Sequence, residues 1–304
     1  MSKYSAEVDD ASFEWLLRFG LVHDPRTLDR LRRQRSGDLA ARTNPEAGRD
    51  QLQILSDWYM WLFAFDDSFS EDGSDSACPA AMALAMGQLS RSLDCGYRPT
   101  GPVRPYADAL CDIRDRIAAY GSPSLLDRWT HTVHNYFLAQ VWEAGNRERG
   151  SFAGLDEYVV MRRHAGATYT CLAIIEMASG LEMPAEIALS PAMRRVNDIT
   201  ANLVSWDNDL FSHAKEKVAD HGRHNLIEVI AQQERRTPSA VHSRCLDLRN
   251  EEMREFLLLT ESLSRGGDPA TQDYLRKLGL WLRGHIEWSA ASSRFEVETA
   301  GSPA

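Results

Sequence analysis

In NDLFSHAKE (208–216) an amide, a hydroxyl and a carboxylate recur at every fourth residue, as Asn208, Ser212 and Glu216. On a helix that spacing drifts by only about 40° per step, so the three oxygens line one edge. Such a ridge makes a poor salt-bridge face and a good oxygen-ligand set for one divalent cation. The ordinary alternative is a polar helix surface with Ser212 bonding back to the turn before it. A second cluster, DDSFSE (66–71), ends an aromatic run and supplies Asp66, Asp67 and Glu71. Tyr59, Phe63 and Asp67 lie four apart, with Trp58, Leu62 and Asp66 as the adjacent stripe, so aromatics sit below carboxylates on one broad helical face. A helix end frayed into solvent would also carry acids there. Grouped hard carboxylates suit Mg²⁺, which keeps several waters and shares its remaining positions with phosphate. Two such edges facing each other would hold several Mg²⁺ ions, and a diphosphate is the ligand that fits between them.

The elements that must position these residues read as helices throughout. Periodicity near 3.6 runs over 50–67, 79–94, 104–119, 123–147, 155–179, 190–218, 223–233, 238–265 and 270–296, with no sustained two-residue alternation. Breaks fall at EDGSDSACP, DCGYRPTGP, GSPS, RERGS, GLEMP, DHGR and RGGDP, where turn chemistry places them. Neither a repeat nor a linker divides the chain. The expectation is one all-α domain over 1–304, with loosely held ends at 1–10 and 297–304. The charged stretches LDRLRRQRSGD and RNEEMREF read as solvated helix faces.

Composition narrows the partners. A net charge of −10 makes nucleic acid a poor ligand, so an anionic substrate needs metal ions to supply positive charge. The five cysteines are scattered with no CxxC pair, which fits a reducing interior. No signal-peptide pattern or membrane span is visible, and the expected location is the cytoplasm. The pairs His131/His134 and His221/His224 lack a third ligand at helical spacing and read as surface or packing residues. The paired Glu-x-x-His motifs of a ferritin-like di-iron protein are absent.

DDSFSE resembles the aspartate-rich motif of bacterial class I terpene synthases, and NDLFSHAKE fills every defined position of their second metal motif, ND-x-x-S-x-x-KE. Arg162, in EYVVMRRHAG, stands where that family places a diphosphate-sensing arginine, with Arg163 beside it. SSRF supplies the arginine of a terminal Arg-Tyr pair as Arg294, with Phe295 in place of the tyrosine, and VWEAGNR (141–147) resembles a recurring family stretch. The resemblance covers roughly residues 50 to 296.

It implies a helical bundle around a deep apolar cavity, and a Mg²⁺-dependent cyclase acting on a linear isoprenyl diphosphate. Three ions are implied, with Mn²⁺ able to substitute: two through Asp66, Asp67 and Glu71, one through Asn208, Ser212 and Glu216. Arg162, Lys215 and Arg294 would bind diphosphate, with Arg294 also pairing with Asp67 on closure, and Gly166 would mark the helix break whose carbonyl faces the ionising carbon. Phe63 and Trp288 are the candidate cation-stabilising aromatics, with Leu62, Tyr59 and Cys171 shaping the cavity; core packing is the competing role for each aromatic and the favoured one for Trp58, Trp61, Trp206 and Trp281. Farnesyl diphosphate is the favoured substrate, although Leu62, Gly166 and Cys171 stand where many relatives carry bulkier residues and could admit geranylgeranyl diphosphate. A homodimer is common in the family. A chain-elongating prenyl synthase would repeat an Asp-rich second motif, which Asn208 and Ser212 contradict; a prenyl-diphosphate-binding protein without turnover is the other alternative, hinted at by Phe295 alone.

Overall fold

The computed structural model describes residues 1–71, 76–180, 182–218 and 224–296. Its helices are α1 (Ser5–Phe19), α2 (Pro25–Gln34), α3 (Ser36–Thr43), α4 (Arg49–Phe65), α5 (Pro79–Cys95), α6 (Arg104–Tyr120), α7 (Pro123–Arg149), α8 (Leu155–Ala165), α9 (Thr168–Leu172), α10 (Ile175–Ser179), α11 (Ala185–Ala188), α12 (Pro191–Val218), α13 (Leu226–Glu234), α14 (Pro238–Ser264) and α15 (Pro269–Ser289). The described residues contain no strand. Prolines open α2, α5, α7, α12, α14 and α15 at a position whose N–H would lack an intrahelical acceptor anyway. Side-chain caps fix several starts: Asp24 accepts from Thr27 N, Ser122 from Leu125 N, Asn225 from Ile227 N and Asp268 from Ala270 N.

The sequence pattern located the long helices to within a few residues and missed the first three. Residues 1–10 are not loosely held, because α1 buries Val8, Ser12, Trp15 and Leu16. Its Ser12 hydroxyl bonds the buried Asp57 carboxylate of α4 at 2.6 Å, anchoring the chain start to the central helix. Residues 297–304 lie outside the described residues. The single run expected over 155–179 is three short helices, and the one expected over 270–296 stops at Ser289, with a tight turn at Ser293–Phe295 carrying Arg294.

Helix α4 is buried on most sides. Trp61 stacks on Phe65 at 5.0 Å between ring centroids and on Trp58 at 5.3 Å, and Trp129 of α7 meets Trp58 edge-on. Each such side chain contributes about 1.5–3 kcal/mol by burial, so this stack holds the helix that presents Asp66. A second apolar cluster joins Tyr158, Trp206, Leu226, Ile230, Val241 and Cys245 behind α12. Helix α15 lies against α3, and a Cβ at Gly284 would come within 2.4 Å of the Arg42 carbonyl oxygen, so only glycine permits this approach. No helix among the described residues is long and apolar enough to cross a membrane.

The two charged stretches are not simply solvated. Arg30 of α2 bonds Asp67, and Gln34 is 1% exposed. On α14, Arg249 grips the buried Asp207 of α12 through two bonds of 2.8 and 3.0 Å, while Glu252 and Glu255 hold Arg195. Their charges clamp neighbouring helices.

Candidate active site

A cavity of ≈200 Å³ draws its lining from Leu39 at one end of the chain to Phe295 at the other. Tyr59, Leu62, Phe63 and Asp66 of α4 all reach it, which is the i, i+3, i+4, i+7 stripe of a single helix face. This face differs from the expected one at its edges. Trp58 turns away and donates its indole N–H to Thr170 Oγ1 at 3.0 Å, and Asp67 is 2% exposed, with Oδ2 held by Arg30 Nε at 3.1 Å. Helical geometry puts Trp58 and Asp67 about 90° to either side of the centre of this stripe, and α4 passes into a π-helical turn over Asp66–Glu71. The side chain of Glu71 lies outside the described residues, as does His221.

Arg294 bridges the two aspartates. Its Nη2 bonds Asp66 Oδ2 at 2.8 Å and its Nη1 stands 3.6 Å from Asp67 Oδ1, so the shorter contact goes to Asp66 rather than to the expected Asp67. Gln34 Oε1 accepts from Nη1 at 2.9 Å, and the guanidinium lies 4.5 Å over the Phe63 ring. Next to it, Phe295 meets Phe211 at 5.7 Å and Trp288 at 5.8 Å, which ties the Arg294 turn to the stretch of α12 that bears the second cluster.

On α12, Asn208, Ser212, Lys215 and Glu216 line the cavity as the spacing required. Asn208 Oδ1 accepts from Arg162 Nη2 at 3.1 Å. Arg163 points elsewhere, to Asn202 at 2.7 Å and Asp198 at 3.3 Å, so Arg162 is the arginine of the pair that faces the site. Asp209 carries the other bonds of Arg162. It accepts from Arg162 Nη2 at 2.6 Å, from the Tyr158 hydroxyl and from the Leu226 N–H at 2.7 Å, with no exposed surface of its own. Desolvation pushes its carboxyl above the ordinary range, against the opposing charge of Arg162. Asn225 completes the group by donating to Glu216 Oε2 at 3.0 Å and to the Asp209 carbonyl at 2.8 Å.

These donors fit a hard divalent cation. Ser212 Oγ is enclosed and makes no well-formed hydrogen bond among the described residues, with the Glu216 carboxyl of the same edge as a polar neighbour. Burial, and then the charge of Asp209, push the Glu216 carboxyl upward, and an adjacent cation would reverse that. Among the described residues no group of three His, Cys, Asp or Glu side chains is placed to hold a metal ion, so the set is amide, hydroxyl and carboxylate oxygen, suited to magnesium rather than zinc.

The comparisons with known proteins agree with this geometry. Residues 57–255 match the model of terpene synthase family 2, C-terminal metal binding. The chain is 36% identical over 295 residues to the 4-epi-cubebol synthase of Streptosporangium roseum, described as cyclising (2E,6E)-farnesyl diphosphate, covering 97% of this chain and 88% of that one. This chain belongs to the bacterial class I terpene synthases. The (+)-T-muurolol synthase of Streptomyces clavuligerus is 32% identical over 290 residues, covering 95% of this chain and 69% of that one. Among solved structures, the SVS_A2 protein from ancestral sequence reconstruction superposes with a TM-score of 0.89 at 27% identity, over 95% of this chain and 86% of that one.

In this terpene synthase the remaining expected residues, Cys171, Gly166 and Trp288, also line the cavity. Trp288 stacks on Phe63 at 5.6 Å and 8°, and donates its N–H to the Gln34 carbonyl at 3.0 Å. Trp281, expected as core, lines the cavity too and bonds the Tyr59 hydroxyl at 3.3 Å, because α15 puts 281, 285 and 288 on one face. His224, expected at the surface or in packing, lines the cavity with its ring 5.1 Å from Trp142, while His134 meets Asp94 at 3.1 Å. Sequence reasoning passed over Asp209, although it sits inside the quoted motif, and over Glu143 and Arg147, which lie inside VWEAGNR and line the cavity 3.4 Å apart. Tyr158, Gln34 and Arg30 gave no signal, since each acts through a partner distant in sequence.

The break between α8 and α9 is carried by two residues. Gly166 ends α8, but it is Ala167 that adopts the left-handed conformation, at φ 55°, storing about 1–2 kcal/mol of strain. A Cβ at Gly166 would lie 2.8 Å from Ser205 Oγ and 3.2 Å from the Arg162 carbonyl oxygen. Gly166→Ala therefore displaces Arg162, and turnover should fall about 10²-fold, the scale of a roughly 1 Å misplacement at a reacting site. Steady-state diphosphate release measures it; a loss below threefold would mean that Ser205 rotates aside at no consequence.

Proposed function

We propose that this terpene synthase is a Mg²⁺-dependent cyclase of farnesyl diphosphate that releases diphosphate and forms a sesquiterpene. The observation that carries the reading is the composition of the cavity lining. The lining brings Asp66, Asn208, Ser212 and Glu216 together with Arg162, Lys215 and Arg294, and adds an apolar part that includes Tyr59, Leu62, Phe63, Trp281 and Trp288. The lining spans most of the chain, which supports treating 1–304 as one domain.

Mg²⁺, three ions shared between Asp66 and the Asn208–Ser212–Glu216 set, would supply the charge that stabilises the departing diphosphate. Arg162, Lys215 and Arg294 bind its oxygens, with Arg162 aimed by Asp209 and Arg294 by Gln34. Asp67, turned onto Arg30, supports the Arg294 position and stands outside the ligand set. Once the carbon–oxygen bond has broken, the apolar wall folds the chain and keeps water out. The stacked Phe63 and Trp288 rings present π-faces worth about 0.5–2 kcal/mol each to a desolvated cation. The excess of acids in the chain is consistent with positive charge arriving as metal.

Incubation of the purified protein with geranyl, farnesyl and geranylgeranyl diphosphates, each with and without Mg²⁺, tests this by gas chromatography–mass spectrometry. A cyclic C15 product from farnesyl diphosphate that requires Mg²⁺ is expected. A product from geranylgeranyl diphosphate alone would overturn the chain length. Silence from all three in a protein that binds Mg²⁺ and diphosphate would favour the binding-protein alternative.

A further inference from the structure

Of the basic groups in the cavity lining that the ionisation chemistry leaves unused, His285 is the one set between two cavity tryptophans. It lines the cavity from α15, one turn from Trp281 and from Trp288. Its ring lies 5.7 Å from Trp281 at 12° and 6.4 Å from Trp288 at 37°. Trp281 bonds Tyr59 and Trp288 stacks on Phe63, so His285 sits between two of the aromatic side chains that line the cavity. The residue is 4% exposed, and its Nδ1 is enclosed with no hydrogen-bond partner among the described residues.

A buried ring nitrogen without a partner is costly, so this one needs an explanation beyond packing. Of the other polar groups in the lining, the Tyr59 phenol engaged by Trp281, the Thr168 hydroxyl and the Cys171 thiol are poorer bases, while His224 packs on Trp142 and Glu143 holds Arg147. We infer that His285 is the terminal proton acceptor of the reaction, taking the proton released when the cyclised cation is quenched inside the cavity. The inference rests on the cyclase reading above. The C–H bond beside the cationic carbon breaks, its electron pair becomes the new C=C bond, and the proton goes to the imidazole lone pair. With a trapped water, the C–O bond forms and the same nitrogen takes the O–H proton. No other reactant is needed. Burial pulls the imidazole down to about 4, against a smaller upward pull from Asp207, so the ring waits in its neutral form. A neutral ring does not repel the cation, and a carbocation is acidic enough to protonate even this weakened base.

The test uses His285→Ala and measures the principal product as a share of diphosphate released, with imidazole or the non-basic isostere pyrrole added. The share should fall more than fivefold and be restored by imidazole but not by pyrrole. A smaller fall, or rescue by imidazole no better than by pyrrole, overturns the inference, because a space-filling role would respond to both rings alike. Should the alanine variant fail to fold, His285→Phe decides: it keeps the ring and removes the nitrogens, and a share within fivefold of wild type overturns the role. A wild type that releases no diphosphate would sink the cyclase reading itself, whereas a cyclising wild type with indifferent variants would sink only His285.

Discussion

Asp66→Ala should reduce Mg²⁺-dependent diphosphate release by about 10²–10³-fold, the range seen when a single group stabilising developing charge is removed. Its melting temperature should stay within about 3 °C of wild type. The asymmetry follows from where the side chain sits. It is 34% exposed and its pair with Arg294 faces the cavity mouth, so the bond lost contributes roughly 0.2–1 kcal/mol to folding. Arg294 keeps Gln34 Oε1 and stands 3.6 Å from Asp67, so its charge is not stranded. Paired thermal melts and turnover assays check both halves. Activity within tenfold of wild type would remove Asp66 from the metal set and leave it as an ordinary ion pair at a helix end.

The second metal motif was legible because one helix fixes it. Asn208, Ser212 and Glu216 share α12, and regular helical spacing alone decides that they share an edge. The first motif was only half legible, for the complementary reason. A regular helix puts Asp66 and Asp67 on adjoining stripes, and Asp67 is taken up by Arg30 of α2, a contact distant in sequence that no periodicity announces. Arg162 was reachable from the family pattern, whereas its partner Asp209 was not assigned, because a buried pair 47 residues apart is a fact of packing. The same holds for α2: Arg30 and Gln34 look like any polar helix, and become site residues only when the Arg294 turn folds over them. Trp281 was lost to the assumption that apolar stripes are core, since sequence does not distinguish a wall facing a cavity from one facing side chains, and His285 was not singled out at all.

Asp209→Ala should behave in the opposite way to Asp66→Ala, losing stability along with the chemistry. Asp209 is fully buried and satisfies the Tyr158 hydroxyl, the Arg162 guanidinium and the Leu226 N–H at once. Removing one partner of a buried ion pair costs about 3–5 kcal/mol, because the other charge is left unpaired in a poorly solvated site. At about 2–4 °C per kcal/mol, a two-state melt should drop by roughly 10 °C. Asp209→Asn keeps one acceptor oxygen and should fall between that value and wild type. Near-ultraviolet circular dichroism melts of the two variants, each repeated with Mg²⁺ and inorganic diphosphate, distinguish the causes. If Arg162 is the stranded charge, an anion at its guanidinium should recover part of the loss in the alanine variant more than it stabilises wild type. A melt within 3 °C of wild type would show that Arg162 finds another acceptor, with Asn208 Oδ1, already 3.1 Å from its Nη2, the nearest candidate. In that event the arginine would be aimed by the metal-binding edge itself rather than by a carboxylate behind it.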